Sequence, residues 1–251
     1  SSGCCKTTLL NLISGLLTPT QGRILFDGKD ITQLGPRERN IAQVFQFPVL
    51  YDTMTVFDNL AFPLRNRGWK EAAVRTRVGE VAELLDLAGD LKRRARGLPP
   101  DAQQKISLGR GLVRTDVAAV LLDEPLSNLD AASRLELRSM LRGLVREKGL
   151  TVLCVLHDQK DALAMADRLG VMRGGKVIQS GLPIDVYRRP IDSWTATFLG
   201  MANLFKGKVL QVGAGEFVAE TALGEVRGAL ALPSAPPQVG AEIVVCIRPE
   251  C

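Results

Sequence analysis

The chain has 251 residues, of which 46% are hydrophobic and 24% charged, a balance that excludes a disordered tail or a collagen-like fibre. Its net charge is +5, but the basic residues are scattered along the chain, so the charge does not indicate a nucleic-acid-binding protein. The single histidine excludes a zinc site built from several histidines. The five cysteines have neither disulfide nor zinc-ligand spacing, which favours a reducing compartment.

Helix and strand patterns alternate through most of the chain. Apolar residues at helical spacing predict helices at 7–17, 74–87, 103–113, 131–148 and 158–169. Strands are predicted at 22–26, 29–31, 41–47, 118–122 and 151–156. The last two are continuously apolar, as expected of parallel strands that are buried on both faces. This alternation predicts an α/β domain with a largely parallel sheet.

The pattern changes near Gly200. Short strands separated by Gly and Pro turns are predicted from there on, at 206–212, 216–220 and 243–247. We therefore expect two domains, an α/β domain over 1–200 and a small β module over 201–251. Since the chain opens inside a turn and stops just after an apolar run, we expect the first domain to be truncated at its N-terminus and the second at its C-terminus.

The first candidate site is the turn that opens the first helix. A phosphate-binding loop needs backbone N–H groups at a helix N-terminus, a Lys for the β- and γ-phosphates and a hydroxyl group for magnesium. Lys6 and Thr7 fit these roles, and Gly3 permits close approach of the backbone to a phosphate. In the pattern G-x-x-x-x-G-K-[ST], the first Gly would precede Ser1 and the second is replaced by Cys5. Taken alone, an ordinary turn before a helix explains this segment equally well.

Polar residues also follow three of the predicted strands. Asp123 and Glu124 follow the run 118–122, where one carboxylate can hold magnesium and the next can polarise an attacking water. His157 ends the next strand, where a neutral imidazole can contact a γ-phosphate, and Gln46 lies near the end of an earlier strand. Each residue alone has an ordinary structural explanation, but their combination and order point to a nucleotide site.

The set of motifs resembles the nucleotide-binding subunit of ATP-binding-cassette (ABC) transporters. The matching segments are the phosphate loop Ser2-Gly3-Cys4-Cys5-Lys6-Thr7-Thr8, the Q-loop Val44-Phe45-Gln46, the Walker B segment Leu121-Leu122-Asp123-Glu124-Pro125, the D-loop Leu126-Ser127-Asn128-Leu129-Asp130 and the switch segment Leu156-His157-Asp158-Gln159. The resemblance implies a P-loop NTPase cassette with a mixed, largely parallel sheet and a helical subdomain. It also implies a small partial β-barrel extension after the cassette.

The same resemblance implies an ATPase and assigns its site. ATP would be bound by residues 2–8, and Mg²⁺ would be held by Thr7, Gln46 and Asp123. Glu124, His157 and Gln46 would be the catalytic residues, and Ser127, Asn128, Leu129 and Asp130 would form the D-loop. The segment from Gln46 to about Leu91 would be the helical insertion that meets a membrane permease.

Three further segments resemble importers of the maltose and glycerol-phosphate type, which carry a C-terminal β-barrel extension known as the TOBE region. These segments are 185–190, 198–203 and 247–250, and the stretch 40–64 resembles the branch associated with glycerol and polyols. The resemblance implies import of a sugar, polyol or glycerol-like solute, with a solute-binding protein acting indirectly. It places the chain peripherally at the cytoplasmic face of the inner membrane, and we expect no nucleic-acid partner.

The chain departs from this family at two places. The family signature L-S-G-G-Q, which one subunit presents to the nucleotide of the other, is replaced after Leu98 by Pro99-Pro100-Asp101-Ala102. The two prolines have no N–H group to donate, and Asp101 brings a negative charge towards a phosphate or else caps its own helix. Cys5 stands where the family has Gly, which we expect to weaken nucleotide binding. The departures suggest a heterodimer with a second ATP-binding subunit rather than a homodimer; the alternative is a regulatory or structural subunit with little turnover.

Overall fold

The computed structural model describes residues 5–127, 129–232 and 234–249, and at Lys148 only the backbone. The described chain divides into two compact units, one ending at His157 and the other beginning at Asp158. The two units are defined by how compactly their residues pack, so they do not test the domain boundary near Gly200, which stays a prediction. In the part of the chain that the structure describes, no helix has the length and apolar character needed to cross a bilayer.

The first unit contains helices, short strands and one parallel sheet. Its elements are α1 (Lys6–Ser14), β1 (Leu25–Phe26), β2 (Lys29–Asp30), α2 (Pro36–Arg39), β3 (Ile41–Val44), α3 (Val56–Arg65), α4 (Glu71–Leu84), a 3₁₀ turn (Ala88–Asp90), α5 (Pro100–Leu112), β4 (Ala119–Asp123), α6 (Ala131–Lys148) and β5 (Val152–Val155). The strands β1 and β2 form the predicted hairpin. Its turn residues Asp27 and Gly28 both have positive φ, at 48° and 77°, as a tight two-residue hairpin turn requires.

The parallel sheet has the strand order β3-β4-β5. Every residue of the central strand β4 is buried, as its continuous apolar sequence predicts. The prediction that β5 is also buried on both faces is wrong, because Leu153 is 37% exposed. Within the described residues β5 pairs only with β4, so it lies at the edge of the sheet and one of its sides has no neighbouring strand.

Helix α5 packs against both α3 and the sheet at two glycines. A Cβ atom on Gly109 would lie 2.6 Å from Leu60 Cδ2, and one on Gly111 would lie 2.6 Å from Val44 Cγ2. Both distances are shorter than real Cβ contacts, so glycine permits these close approaches. The predicted helical insertion is thus present as α3 and α4, packed on α5.

The second unit begins with a helix and ends in an antiparallel sheet. Its elements are α7 (Gln159–Met165), β6 (Leu169–Arg173), β7 (Lys176–Gly181), α8 (Pro183–Arg188), α9 (Ser193–Leu199), β8 (Asn203–Gly213), β9 (Glu216–Thr221), β10 (Gly224–Ala229) and β11 (Glu242–Ile247). The strand order β10-β9-β8-β11 forms a four-stranded sheet, and these described strands do not close into a barrel. This sheet lies in the segment predicted to form the β module, and its core includes Phe217, Ala219 and Val245.

Several predicted boundaries are wrong: the helix predicted at 7–17 ends at Ser14, and the strand predicted at 22–26 begins at Leu25. The strand predicted at 41–47 ends at Val44. The helix predicted at 158–169 ends at Met165, where the next residue, Ala166, adopts an extended conformation. Leu169 instead begins β6, in which Leu169 and Val171 alternate onto the buried face and pack with Val186 and Leu199. Burial of every second residue is the pattern of a strand, so these apolar residues belong to a strand and not to the predicted helix.

Candidate nucleotide-binding site

The carboxyl ends of the parallel strands meet the first turn of α1. Asp123 is the last residue of β4, Glu124 follows it, and Gln46 lies two residues beyond β3. Lys6 and Thr7 open α1. Because parallel strands point their carboxyl ends to the same edge of the sheet, residues from separate parts of the chain converge at this position.

Five of the predicted site residues are linked by direct contacts. The Thr7 hydroxyl donates to Asp123 Oδ2 at 2.8 Å. Lys6 Nζ forms an ion pair with Glu124 Oε1 at 3.4 Å and donates to the Leu156 carbonyl oxygen at 3.2 Å. Gln46 Nε2 donates to Glu124 Oε2 at 3.4 Å. The structure thus brings together a lysine, a hydroxyl, an amide and two carboxylates at a helix N-terminus.

The residue before α1 has a left-handed backbone conformation. Cys5 is the N-cap residue, with φ 59° and ψ 19°, and its side chain makes no capping hydrogen bond. A side chain with a Cβ adopts this region at a cost, which glycine avoids. The remaining predicted loop residues divide into two groups: Thr8 is exposed in the first turn, whereas Ser2, Gly3 and Cys4 lie outside the described residues.

Glu124 also has a left-handed backbone, with φ 47°. Its N–H donates to the Val155 carbonyl of β5 at 2.9 Å, and its carbonyl accepts from the N–H and the hydroxyl of Ser127 at 3.2 and 3.0 Å. A non-glycine residue in this region costs free energy unless its surroundings hold it there. The hydrogen bonds on both sides of Glu124 fix the turn that presents its carboxylate.

The predicted D-loop leads into helix α6. Asp130 caps this helix, accepting hydrogen bonds from the N–H groups of Ala132 and Ser133, both at 3.0 Å. The Ser133 hydroxyl also donates to Asp130, and these hydrogen bonds lower the pKa of the Asp130 carboxyl below its ordinary value. Leu129 is half-buried, and Asn128 lies outside the described residues.

His157 follows Leu156, whose carbonyl accepts from Lys6. Its side chain is exposed, and among the described residues it makes no hydrogen bond with the rest of the site. The structure therefore places His157 next in sequence to a residue of the cluster but does not join its imidazole to it.

The replaced signature segment, Pro99 to Ala102, opens helix α5. Pro99 is the N-cap residue and supplies no side-chain cap, and Pro100 is the first helical residue. Both prolines are exposed, Asp101 is half-buried and Ala102 is buried. The exposed end of α5 thus lacks the first two N–H groups that a residue other than proline would offer to an anion.

A groove of about 270 Å³ lies between β3 and the helices α3 and α5. Its lining includes Phe45, Val49 and Arg110. Phe47, which lies between Phe45 and Val49 in sequence, is 71% exposed, which is unusual for an aromatic side chain. This part of the first unit therefore presents apolar side chains directly after the segment that carries Gln46.

Gln104 of helix α5 also contacts the turn after β4. Its Nε2 donates to the Pro125 carbonyl oxygen at 3.0 Å. No sequence signal pairs these two residues, because the contact depends on how α5 packs against the sheet.

Comparison with known proteins identifies similar ATP-binding proteins. The family model described as "ABC transporter" matches residues 1–127. The chain is 40% identical over 250 residues to the spermidine/putrescine import ATP-binding protein PotA of Acidothermus cellulolyticus, covering 99% of this chain and 64% of that protein. It is 40% identical over 252 residues to the sn-glycerol-3-phosphate import ATP-binding protein UgpC of Pectobacterium atrosepticum, covering 99% of this chain and 69% of that protein.

A solved structure has the same fold. It is cbiO1 from Clostridium perfringens, described as part of the ABC transporter complex cbiONQ. The TM-score is 0.68 at 28% sequence identity, over 74% of this chain and 76% of that one. The chain spans 64% of the Acidothermus relative and 55% of a PotA relative from Frankia alni.

Proposed function

Since the chain belongs to the ABC transporter family, we propose that it binds ATP and hydrolyses it to ADP and phosphate to drive solute import through a separate permease. The observation that carries this proposal is the convergence of Lys6, Thr7, Gln46, Asp123 and Glu124 at the N-terminus of α1. Lys6 and the backbone of residues 2–8 would bind the phosphates, as a helix N-terminus and a lysine do in phosphate loops.

The oxygen atoms of Thr7 and Asp123 fit a magnesium site. The hydroxyl and the carboxylate are 2.8 Å apart, and both are of the donor type that Mg²⁺ prefers. Gln46 adds an amide group, whose Nε2 donates to Glu124. When bound, Mg²⁺ supplies positive charge that offsets the charge of the β- and γ-phosphates.

Glu124 would polarise the attacking water. Its carboxylate contacts Lys6 and Gln46 and sits at the edge where the phosphate loop and the sheet meet. A positioned carboxylate of this kind accepts a proton from the nucleophile during hydrolysis. His157, at the end of the adjacent strand, would contact the γ-phosphate, and Lys6 would exchange its contact with Glu124 for contacts to the phosphates.

We place the protein peripherally at the cytoplasmic face of the inner membrane, with permease subunits as its partners and no nucleic acid. The exposed apolar side chains of the segment that follows β3, among them Phe47, Val49 and Tyr51, support docking of a permease segment there. Of the other residues in this region, Val56 and Leu60 are fully buried and contribute to the core instead. The similarity to UgpC supports a sugar, polyol or glycerol-like solute, although PotA, named for spermidine and putrescine import, is equally similar at 40% identity. A solute-binding protein would deliver the solute indirectly.

The active assembly would be a heterodimer with a second ATP-binding subunit. The exposed prolines at 99 and 100 make this chain a poor partner for the nucleotide bound by another subunit, while Glu124 remains for the nucleotide it binds itself. One composite site would then use this chain's Lys6 and Glu124 with the partner's signature. The other site would contain the replaced segment and turn over slowly.

Steady-state ATPase activity of the full-length protein, alone and mixed with its second ATP-binding subunit and permease, tests this function. We expect activity mainly in the mixture, and Glu124→Gln should lower it by about 100-fold or more, as loss of an essential base does. The matched control is Glu83→Gln, which alters an exposed glutamate of α4. Equal activity of the chain alone and in the mixture would refute the heterodimer.

The second candidate function is a nucleotide-binding regulatory or structural subunit with little turnover of its own. Two observations favour this alternative. The backbone of Cys5 is left-handed, and the two prolines at the start of α5 have no N–H group to donate. It predicts that the mixture keeps its activity when Glu124→Gln is introduced, because the partner subunit would carry out the hydrolysis.

A further inference from the structure

A buried glutamine joins helix α5 to the turn after β4. Gln104 is 2% exposed, and its Nε2 donates to the Pro125 carbonyl oxygen at 3.0 Å. Its Oε1 has no hydrogen-bond partner among the residues that the structure describes. A buried acceptor without a partner costs free energy, so the amide is a poor choice for filling this space. What it adds is the N–H donor to Pro125.

That donor acts next to the proposed catalytic carboxylate. Pro125 directly follows Glu124, whose left-handed backbone needs support from its surroundings. The Glu124 N–H donates to the Val155 carbonyl of β5, and the Glu124 carbonyl accepts from Ser127 within the turn itself. Gln104 supplies the contact from helix α5, 21 residues away in sequence.

We propose that Gln104 is a positioning residue for ATP hydrolysis: by holding the Pro125 carbonyl, it fixes the turn that directs the Glu124 carboxylate into the nucleotide site. The proposal rests on the proposed function, because it assigns Gln104 a role only through Glu124. It also links helix α5, which begins at Pro100, to the turn that carries the Glu124 carboxylate of the same chain. A shift of that helix would therefore be transmitted to Glu124.

The test compares Gln104→Leu with Gln103→Leu in the full-length protein, within the assembly that shows ATPase activity. The two residues are adjacent in α5, and Gln103 also donates a side-chain hydrogen bond, at 2.9 Å to the Leu98 carbonyl oxygen. We expect Gln104→Leu to lower kcat by about tenfold, the effect of losing about 1.4 kcal/mol of transition-state stabilisation. The KM for ATP and the Kd of Mg-ADP should stay within about twofold, because Gln104 does not touch the nucleotide-binding residues. Gln103→Leu should change none of these quantities by more than about twofold.

Two further variants separate the possible failures. Gln104→Met keeps a side chain of similar length without a hydrogen-bond donor, so it should lower kcat as Gln104→Leu does and covers the case in which the leucine variant does not fold. Adding Gln104→Leu to Glu124→Gln should cause no further loss, since residues that act as a unit are not additive. An unchanged kcat in folded Gln104 variants, or equal losses for Gln103→Leu, would overturn the positioning role while leaving the ATPase intact. Full activity of Glu124→Gln would instead refute the proposed function on which the role depends.

Discussion

Cys5 is the residue at which local backbone geometry and sequence disagree most directly. Its φ of 59° places a side chain with a Cβ atom in the left-handed region at the start of α1. We expect Cys5→Gly to raise the free energy of unfolding by about 1 kcal/mol, because the left-handed conformation costs about 1–2 kcal/mol for residues other than glycine and the flexibility of glycine offsets part of the gain. Urea denaturation of the full-length protein measures this change.

Cys5→Ala separates the backbone from the thiol. Alanine keeps the Cβ and therefore the strain, so it should leave the stability within about 0.5 kcal/mol of the parent. If alanine stabilises the protein as much as glycine does, the thiol rather than the backbone is responsible. Binding of Mg-ADP, measured on the same variants, shows whether relief of the strain also tightens the phosphate loop.

The site residues show which kind of prediction the sequence supports. Lys6, Thr7, Asp123 and Glu124 stand in motifs whose order and position at strand ends imply a common edge, and the structure does bring them together. The roles assigned to them stay predictions. The contact between Lys6 and the Leu156 carbonyl and that between Gln104 and Pro125 could not be foreseen, since they involve a backbone group and a packing arrangement rather than a motif.

At the scale of elements, the C-terminal end of α1 depends on one buried arginine. The Arg39 guanidinium donates to the carbonyl oxygens of Leu12 and Ile13 at 2.6 and 2.9 Å, and also to those of Thr32 and Leu34. Arg39 is 3% exposed, and this burial lowers the pKa of its guanidinium group. A cation at this end satisfies helix carbonyls that have no partner within the helix.

We therefore expect Arg39→Met to lower the free energy of unfolding by about 3 kcal/mol, because several buried carbonyl groups lose their donor. Arg37→Met is the matched control, since Arg37 is exposed in the same short helix and should change stability by less than about 0.5 kcal/mol. Thermal and urea unfolding of both variants provide the comparison. Equal effects at the two positions would show that the helix end does not need the buried guanidinium.

Helix α3 carries a pH-dependent contribution at its N-terminus. The Thr55 hydroxyl donates to Asp58 at 2.6 Å, and Arg65 pairs with the same carboxylate at 2.9 Å. The Thr55 hydrogen bond, followed by that from Arg65, lowers the pKa of Asp58 below its ordinary value. A lowered pKa in the folded state means that this stability is present above the unfolded pKa, about 3.9, and is lost as the pH falls through the folded value.

Asp58→Asn should therefore destabilise the protein at pH 6, and the destabilisation should be smaller at pH 3, below the unfolded pKa of about 3.9. The difference at pH 6 should be at most about 1 kcal/mol, since the Asp58 side chain is 39% exposed and solvent screens the pair. Asp52→Asn, at an exposed position outside the helix, serves as the control. Urea unfolding at the two pH values measures both variants, and a difference as large at pH 3 as at pH 6 would contradict the assignment.

Elements whose ends carry capping residues could be predicted from the sequence. Elements whose ends depend on tertiary contacts could not. Helix α6 occupies 131–148 as predicted, because Asp130 caps it and Gly149 follows it with a φ of 59°. The predicted helix at 158–169 is wrong at its end, where Leu169 and Val171 join a strand whose pairing lies further along the chain. The exposure of β5 depends in the same way on strand order, which no local pattern reveals.

At the scale of the whole chain, the break in sequence texture near Gly200 does not coincide with the division into compact units. Arg248, beyond β11, donates to the carbonyl oxygens of Ala196, Met201 and Tyr187, and its guanidinium lies 4.1 Å from the Tyr187 ring centroid. These contacts tie the antiparallel sheet to α8 and α9, which precede Gly200. The change in composition shows where strand-rich sequence begins. It does not define a structural boundary, because the buried Arg248 contacts segments on both sides of Gly200.

The asymmetry proposed for the assembly can be reversed at the start of α5. Pro99→Ser, Pro100→Gly and Asp101→Gly together would supply a hydroxyl and N–H groups and remove a negative charge, while the buried Ala102 is left unchanged. Because hydrogen bonds to a charged phosphate are worth about 1.5–3 kcal/mol each, we expect ATPase activity of the full-length protein alone to rise by about tenfold or more.

Pro99→Ala with Pro100→Ala is the control, since it restores N–H groups without the hydroxyl and should recover less activity. The gain should vanish when Glu124→Gln is added. A triple variant that folds and binds Mg-ADP yet stays as slow as the parent would show that the replaced segment does not limit turnover.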